Sequence, residues 1–373
     1  MKLAQPKKSA SPDFVFIALL GVIVIFGLVA LASASAGESI RDAGNSTYYL
    51  MHQITNGLIP GIVLFLLGLS VYYRVWEKYS FFILVGAIIL LLLIFTPLVD
   101  THKGGSRWLD FGFFTFQPGE IMKLAFFLYV AAWISGGQER MKRVLDGLIP
   151  FLLLLGLVLA LLLAQPATTT AGLIFVTSII IYFTSGAKIR LIAIAMLFIC
   201  LSATVFITLT SSSAEYRIER IRTFLNPETA DTKDSGYQVE LAKQAIGSGG
   251  LFGVGFGRSV VKSSLPEQMG DSIFPVIAEE FGFVGSVTLL LFFLTLIWRG
   301  LKIARRTSDM FGRLFVTSFV TIVGIQTFVN IGANTGVFPM TGVPLPFISY
   351  GGTSLAIFLT MAGIVANISK YRR

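Results

Sequence analysis

Charge is what this chain has least of. Only 13% of its 373 residues are charged and 54% are apolar, whereas about one quarter of an ordinary soluble domain is charged. With a mean hydropathy of +0.79 there is too little polar surface to cover a globule, which excludes a soluble enzyme. The same imbalance excludes a disordered chain. Cysteine is almost missing as well. The single Cys200 lies in an apolar run, so no intrachain disulfide can form. Two histidines and one cysteine do not make a Cys/His metal site, while a carboxylate-bound divalent ion stays open. The Gly-rich stretch GSGGLFGVGFGRS has no Walker Lys-Ser/Thr ending, which argues against nucleotide binding. The net charge of +9 reads as basic loops on one side of a membrane, with no nucleic-acid partner.

Apolar runs are what the chain has in abundance. A spanning helix needs about 20 predominantly apolar residues. The segments 13–35, 54–73, 80–98, 117–136, 147–164, 171–186, 189–210, 273–298, 311–333 and 351–369 are the ten candidates, two of them short. The expected fold is therefore all-α, a polytopic membrane protein of ten transmembrane helices forming a single membrane domain over residues 1–373. Two loops stand out within it. Residues 211–272 make one long extracytoplasmic loop, expected to pack on the bundle as short helices and turns. Residues 334–352 make a second, Pro/Gly-rich one. With ten spans, 18 Lys and Arg fall on the side of the two termini and 3 on the short loops opposite. That bias puts both termini in the cytoplasm. The first span ends in ALASASAG, small residues that could mark a cleavage site. Its apolar core is longer than that of a signal peptide, so it is read as an uncleaved helix.

Ionisable groups at membrane depth are costly and so mark candidate sites. Glu120 and Lys123 begin the fourth span with a spacing that puts them on one helix face. They could neutralise each other or face a substrate. Asp271 stands at the mouth of the eighth span in SLPEQMGDSIFPVIAEE, where a carboxylate could be a plain N-cap or a functional group. Glu279 and Glu280 follow about two turns deeper, and at least one needs a partner or a watery cavity. Glu267 reads as a loop residue unless it faces the same cavity. The segment NTGVFPMTGVPLPFISYGGTS combines three prolines with apolar residues. It is either a re-entrant loop over a lipid-linked substrate or a surface turn dipping into headgroups. In GGSRWLDFGFFTFQPGE the aromatic residues suit an interfacial belt, and Arg107 could hold a phosphate.

Four segments carry a resemblance: GGSRWLDFGFFTFQPGEIMKLAFFLYVA, YRIERIRTFLNPE, SGYQVELAKQAIGSGGLFGVGFGRSVVKSSLPEQMGDSIFPVIAEEFGFVG and NIGANTGVFPMTGVPLPFISYGGTS. Together, and in this order, they resemble the SEDS family of shape, elongation, division and sporulation proteins, with FtsW and RodA as its branches. The GYQ and GFGRSVVK…LPE wording leans toward the FtsW branch. The resemblance implies a ten-span fold and a peptidoglycan glycosyltransferase that polymerises lipid II at the outer face of the cytoplasmic membrane. It also implies partners: a class B penicillin-binding protein acting as transpeptidase, and other divisome or elongasome membrane proteins. The family's essential aspartate maps onto Asp271, and its glutamate and lysine onto Glu120 and Lys123. Gln117, Glu267 and Ser349, within the matching motifs, become substrate-binding candidates. Two motifs depart from the family. The usual LPExHTDF is LPEQMGDS here, with Met269, Gly270 and Ser272 replacing His, Thr and Phe. The usual QPDxGT is QPATTT, so Ala167 stands where an aspartate is common.

Forming a β-1,4 glycan from an α-linked lipid pyrophosphate inverts the anomeric carbon. The expectation is that Asp271 acts as the general base. Lys123, Arg107 and Lys262, with a divalent cation as a possible addition, would offset the pyrophosphate charge. Glu120 would hold Lys123. Two rival readings are a lipid II flippase, which calls for polar groups near the bilayer midplane, and a non-catalytic scaffold that recruits the transpeptidase.

Overall fold

The computed structural model describes residues 11–96, 108–110, 115–165, 167–187 and 235–371. Its elements are almost entirely helical, because in lipid a single helix can satisfy all its own backbone groups. Helix α1 is Phe14–Ala43 and α2 is Tyr48–Gln53, which runs through a π-helical turn at Ile54–Leu58 into α3, Ile59–Ser70. Helix α4 is Tyr73–Leu93 and α5 is Pro118–Ser135. A second π-helical turn, Val144–Leu148, leads into α6, Ile149–Ala164, and α7 is Thr168–Thr184. After α8, Ser235–Ser248, come α9, Ile273–Arg306, α10, Met310–Asn334, and α11, Gly352–Ser369. The strands Leu109–Asp110 and Thr115–Phe116 form one antiparallel pair.

Seven of the described helical segments are long and apolar enough to cross a membrane. Helix α5 has 18 residues but carries Glu120 and Lys123, and α7 is a shorter apolar helix. Nine of the ten expected spans coincide with these helices, and the segment 189–210 lies outside the described residues. The chain is thus an all-α, multi-pass membrane protein. Within the long loop, residues 211–234 also lie outside the description. The remainder forms α8 and a chain of turns, as expected for a segment without a long apolar run.

Helix α11 is the axis of the packing. Every residue from Leu355 to Ser369 is buried. Its tightest neighbour is α3: a Cβ on Gly363 would sit 2.3 Å from the Phe65 carbonyl oxygen, and one on Gly68 2.9 Å from the Ile364 nitrogen. Small residues let backbones approach this closely where lipid offers no hydrophobic drive to associate. Elsewhere α9 packs on α1, α8 and α10, and α10 also packs on α5 and α7.

The two ends of the bundle differ. At one end Asp13 receives Arg299 Nε at 2.9 Å, Asp309 accepts from the Tyr73 hydroxyl at 2.6 Å, and Arg74 lies 3.6 Å from Asp309. At the other end α5, α7, α9 and α11 all begin, around a cavity.

Candidate functional site

The cavity measures about 390 Å³. Helix α5 contributes Glu120 and Lys123 and its N-cap Gln117. Helix α7 contributes Thr169 and Thr170, and α11 contributes Ser354. Glu267, Gly270 and Asp271 come from the segment leading into α9, and Gln326 from α10. The turn Gly342–Pro344 and the pair Tyr350–Gly351 complete the wall. None of the four N-caps, Gln117, Ala167, Ser272 and Gly351, makes a side-chain capping bond. Each helix N-terminus carries partial positive charge and N–H groups without an intrahelical acceptor. Four of them around one hollow make a setting suited to an anion.

Glu120 and Lys123 form the charged floor. One turn apart on α5, they are 4% and 1% exposed, and Lys123 Nζ lies 2.7 Å from Glu120 Oε2. The same ammonium stands 4.9 Å from the centre of the Phe358 ring, a favourable seat for a desolvated cation. A pair this deep is costly to break, because removing one partner strands a buried charge.

Asp271 sits one residue before the N-cap of α9, on a backbone clamped from the C-terminal part of the chain. Three consecutive carbonyls are held there. The Met269 oxygen accepts from Tyr350 N at 2.8 Å and the Gly270 oxygen from Ser349 Oγ at 2.6 Å. The Asp271 oxygen accepts from both Asn330 and Asn334 Nδ2 at 2.8 Å. Asn330 also donates to the Val343 carbonyl at 2.7 Å, tying both loops to one side chain. Across the cavity a Cβ on Gly342, where φ is +67°, would come 3.5 Å from Asp271 Oδ2. Glu267 holds a left-handed φ of 51°, an uncommon conformation for a non-glycine residue that concentrates at functional sites. From there its carbonyl receives Gly270 N and Ser272 N.

Of the expected site residues, Asp271, Glu120, Lys123, Glu267 and Gln117 share this cavity. Two expected positions lie elsewhere. Ser349 stands behind the wall, its hydroxyl donating to Gly270 O and accepting from Leu345 N at 2.7 Å, so it holds the loop together. Lys262 turns away, with its Nζ 3.1 Å from Ser33 Oγ, 2.9 Å from Gly257 O and 3.1 Å from Glu280 Oε1. Glu280 is a buried carboxylate that needs a counter-charge, and it captures the lysine. Arg107 lies outside the described residues. Trp108, expected in an interfacial belt, lines the cavity, and Ala167 contributes no carboxylate where the family has one.

Sequence reasoning passed over four contributors. Gln326, Asn330 and Asn334 recur every fourth residue on α10, which places them on one face of the helix. Such a polar stripe on a spanning helix is a readable signal. Gln326 is fully buried, donates through Nε2 to Pro344 O at 2.8 Å, and has no partner for Oε1. The fourth is Tyr350, whose hydroxyl lies 2.7 Å from His52 Nδ1. Burial pushes its phenol up to about 12, so it stays a neutral O–H. Among the described residues no group of three or more His, Cys, Asp or Glu could hold a metal ion.

The chain matches the FtsW/RodA/SpoVE family model, described as cell cycle protein, over residues 13–373. Stage V sporulation protein E of Bacillus subtilis is 36% identical over 368 residues, covering 98% of this chain and 99% of that protein. The probable peptidoglycan glycosyltransferase FtsW of Geobacter sp. strain M18 is 34% identical and covers 97% of each. Among solved structures, a chain of a peptidoglycan synthase complex that coordinates polymerization and crosslinking superimposes with a TM-score of 0.77. It is 28% identical and covers 96% of this chain and 97% of its own. The rod shape determining protein RodA of Thermus thermophilus gives a TM-score of 0.70 at 25% identity, covering 97% and 98%.

Proposed function

Because this chain belongs to the FtsW/RodA/SpoVE cell cycle protein family, we propose that its cavity is where lipid II is polymerised into β-1,4 glycan strands. The chain is a peptidoglycan glycosyltransferase, the activity for which its FtsW relatives are named. The observation that carries the site assignment is the meeting of four uncapped helix N-termini, a buried lysine and a clamped carboxylate in one hollow.

In this reading the donor's pyrophosphate lies over the N-termini of α5, α7 and α11 with Lys123 beneath. The acceptor sugar faces Asp271. The acceptor hydroxyl gives its proton to the Asp271 carboxylate as its oxygen attacks the anomeric carbon from the face opposite the pyrophosphate. The anomeric C–O bond breaks, and the departing lipid pyrophosphate takes the electron pair. The developing charge is met by Lys123 and by helix N–H groups already oriented before reaction. Glu120 holds Lys123 in place. A divalent ion, where one takes part, would arrive on the pyrophosphate and meet Asp271 or Glu267, since Mg²⁺ is commonly held by one or two carboxylates plus substrate phosphates.

The basic-residue bias puts both termini in the cytoplasm and the cavity at the outer face of the cytoplasmic membrane. The partner in this reading is a class B transpeptidase that cross-links the strands, with other divisome or elongasome membrane proteins around the pair. A liposome experiment tests the function. Lipid II added from outside to protein reconstituted with its cognate transpeptidase should be converted into strands. Translocation of lipid II without strand synthesis would favour the flippase, and neither outcome with intact recruitment of the transpeptidase would favour the scaffold.

A further inference from the structure

The Gly-rich stretch from Gly249 to Val260 plays no part in the chemistry above, yet it is fastened to the bundle in an unusual way. Helix α9 breaks at Gly282, where φ is 66° and ψ is −166°, a conformation open essentially to glycine alone. The break frees backbone groups on both sides, and the loop takes them up. Val254 N donates to Glu279 O at 2.9 Å and Gly255 N to Glu280 O at 3.1 Å. In return Phe283 N donates to Gly250 O at 2.9 Å and Val284 N to Leu251 O at 3.1 Å. The approach leaves no room for side chains between the two backbones. A Cβ on Gly253 would lie 2.1 Å from Glu280 O, and one on Gly282 2.3 Å from Gly253 N. Ser259 and Lys262 follow the backbone inward, Ser259 onto Glu279 and Lys262 onto Glu280 and Ser33, while Arg258 stays exposed. The apolar ones go the other way: Leu251 is 65% exposed, Phe252 79%, Phe256 54% and Val260 78%.

The depth of these contacts follows from α9 itself. Near its far end Trp298 carries Lys302 at 5.1 Å from its ring and is followed by Arg299, Arg305 and Arg306, an aromatic and basic girdle of the kind that marks a membrane boundary. A hydrocarbon core of about 30 Å takes about 20 helical residues, so the opposite boundary falls near Ala278. The loop is bonded to residues 279–284, which at about 1.5 Å per residue lie up to ~9 Å inside the hydrocarbon. Tilt lengthens the embedded stretch and sinks the loop further. Irregular backbone is tolerated at that depth only where protein covers its polar groups, and here the broken helix covers them.

We propose that Gly249–Val260 is a re-entrant wedge seated in the leaflet on the cavity side, with Leu251, Phe252 and Phe256 in contact with lipid acyl chains. The occupant is lipid hydrocarbon because Leu251, Phe252 and Phe256 present an apolar face at a depth where the bilayer surrounds the bundle, while the exposed Arg258 has a side chain long enough to carry its charge to the headgroups.

Spin labels on the full-length protein test this in nanodiscs of phosphatidylethanolamine and phosphatidylglycerol. Phe252→Cys and Leu251→Cys are each made in a Cys200→Ser background. Leu291→Cys on the face of α9 serves as the lipid-facing control and Ser46→Cys as the aqueous one. Both side chains in the loop are mostly exposed, so neither label disturbs packing. The expected result is that oxygen relaxes labels at 251 and 252 several-fold more than a water-soluble nickel chelate does, as at 291. Preferential relaxation by nickel, as at 46, would put the loop in water and overturn the proposal. Labels reached by neither agent would mean that protein covers this face, which overturns it as well.

Discussion

At the scale of single residues, the account rests on charges held where lipid and protein make them expensive. Glu120 and Lys123 are buried together at 2.7 Å, so each protects the other. Glu120→Gln or Lys123→Met alone should lower stability by about 3–5 kcal/mol, because one buried charge is left unpaired. The double variant should recover much of that loss and still fail to polymerise, since the cation under the pyrophosphate is gone. Thermal melting in detergent, set beside strand synthesis, checks both halves. Gln326 offers a subtler case, a buried acceptor oxygen in the cavity wall with nothing to accept from. If a sugar hydroxyl or amide N–H fills it, Gln326→Leu should raise KM for lipid II about tenfold, the worth of one hydrogen bond at ~1.4 kcal/mol. The charged members of the site were legible because an ionisable group is conspicuous in an apolar sequence. Lys262 stands outside the cavity, held by the buried carboxylate of Glu280, and nothing in the local sequence pairs the two. Ser349 looked like a ligand-facing hydroxyl, and only the folded loop reveals that its proton and one lone pair are already used.

At the scale of elements, the spans were legible from hydrophobic runs, and the described helices follow them. What the runs could not convey is how two irregular segments lock together. Met269, Gly270 and Asp271 offer three successive carbonyls, and the donors arrive from Tyr350, Ser349, Asn330 and Asn334, far away in sequence. Nothing in the local composition of either segment announces that partnership. The amides repeating at every fourth residue of α10 were the available clue. The clamp should act on geometry more than on affinity, since small misplacement of a reacting group costs rate steeply. Asn330→Leu is therefore expected to reduce kcat at least tenfold with KM within about twofold of wild type. Steady-state kinetics over a range of lipid II concentrations separates the two parameters. A variant that lost only affinity would detach Asn330 from the placement of Asp271.

At the scale of the whole molecule, the bundle has a chemical end and a structural end. The structural end is tied by Asp13 to Arg299 and to Ser369, bringing α1, α9 and α11 together. Asp13 is 1% exposed, so Arg299→Met should cost about 3 kcal/mol of stability and lower Tm, while kcat at a permissive temperature stays near wild type. That contrast with Asn330→Leu is what separation of the two ends predicts. The direction in which the bundle stands in the membrane rests on loop charges, and the dependence of polymerisation on outside lipid II reads it directly. The claim beneath all of this is that Asp271 takes the proton from the acceptor sugar. The most direct measurement is the initial rate of strand synthesis by Asp271→Asn with the cognate transpeptidase present, alongside its melting temperature. The account predicts a rate at least about 10²-fold below wild type with unchanged melting; a rate within about twofold of wild type would contradict it.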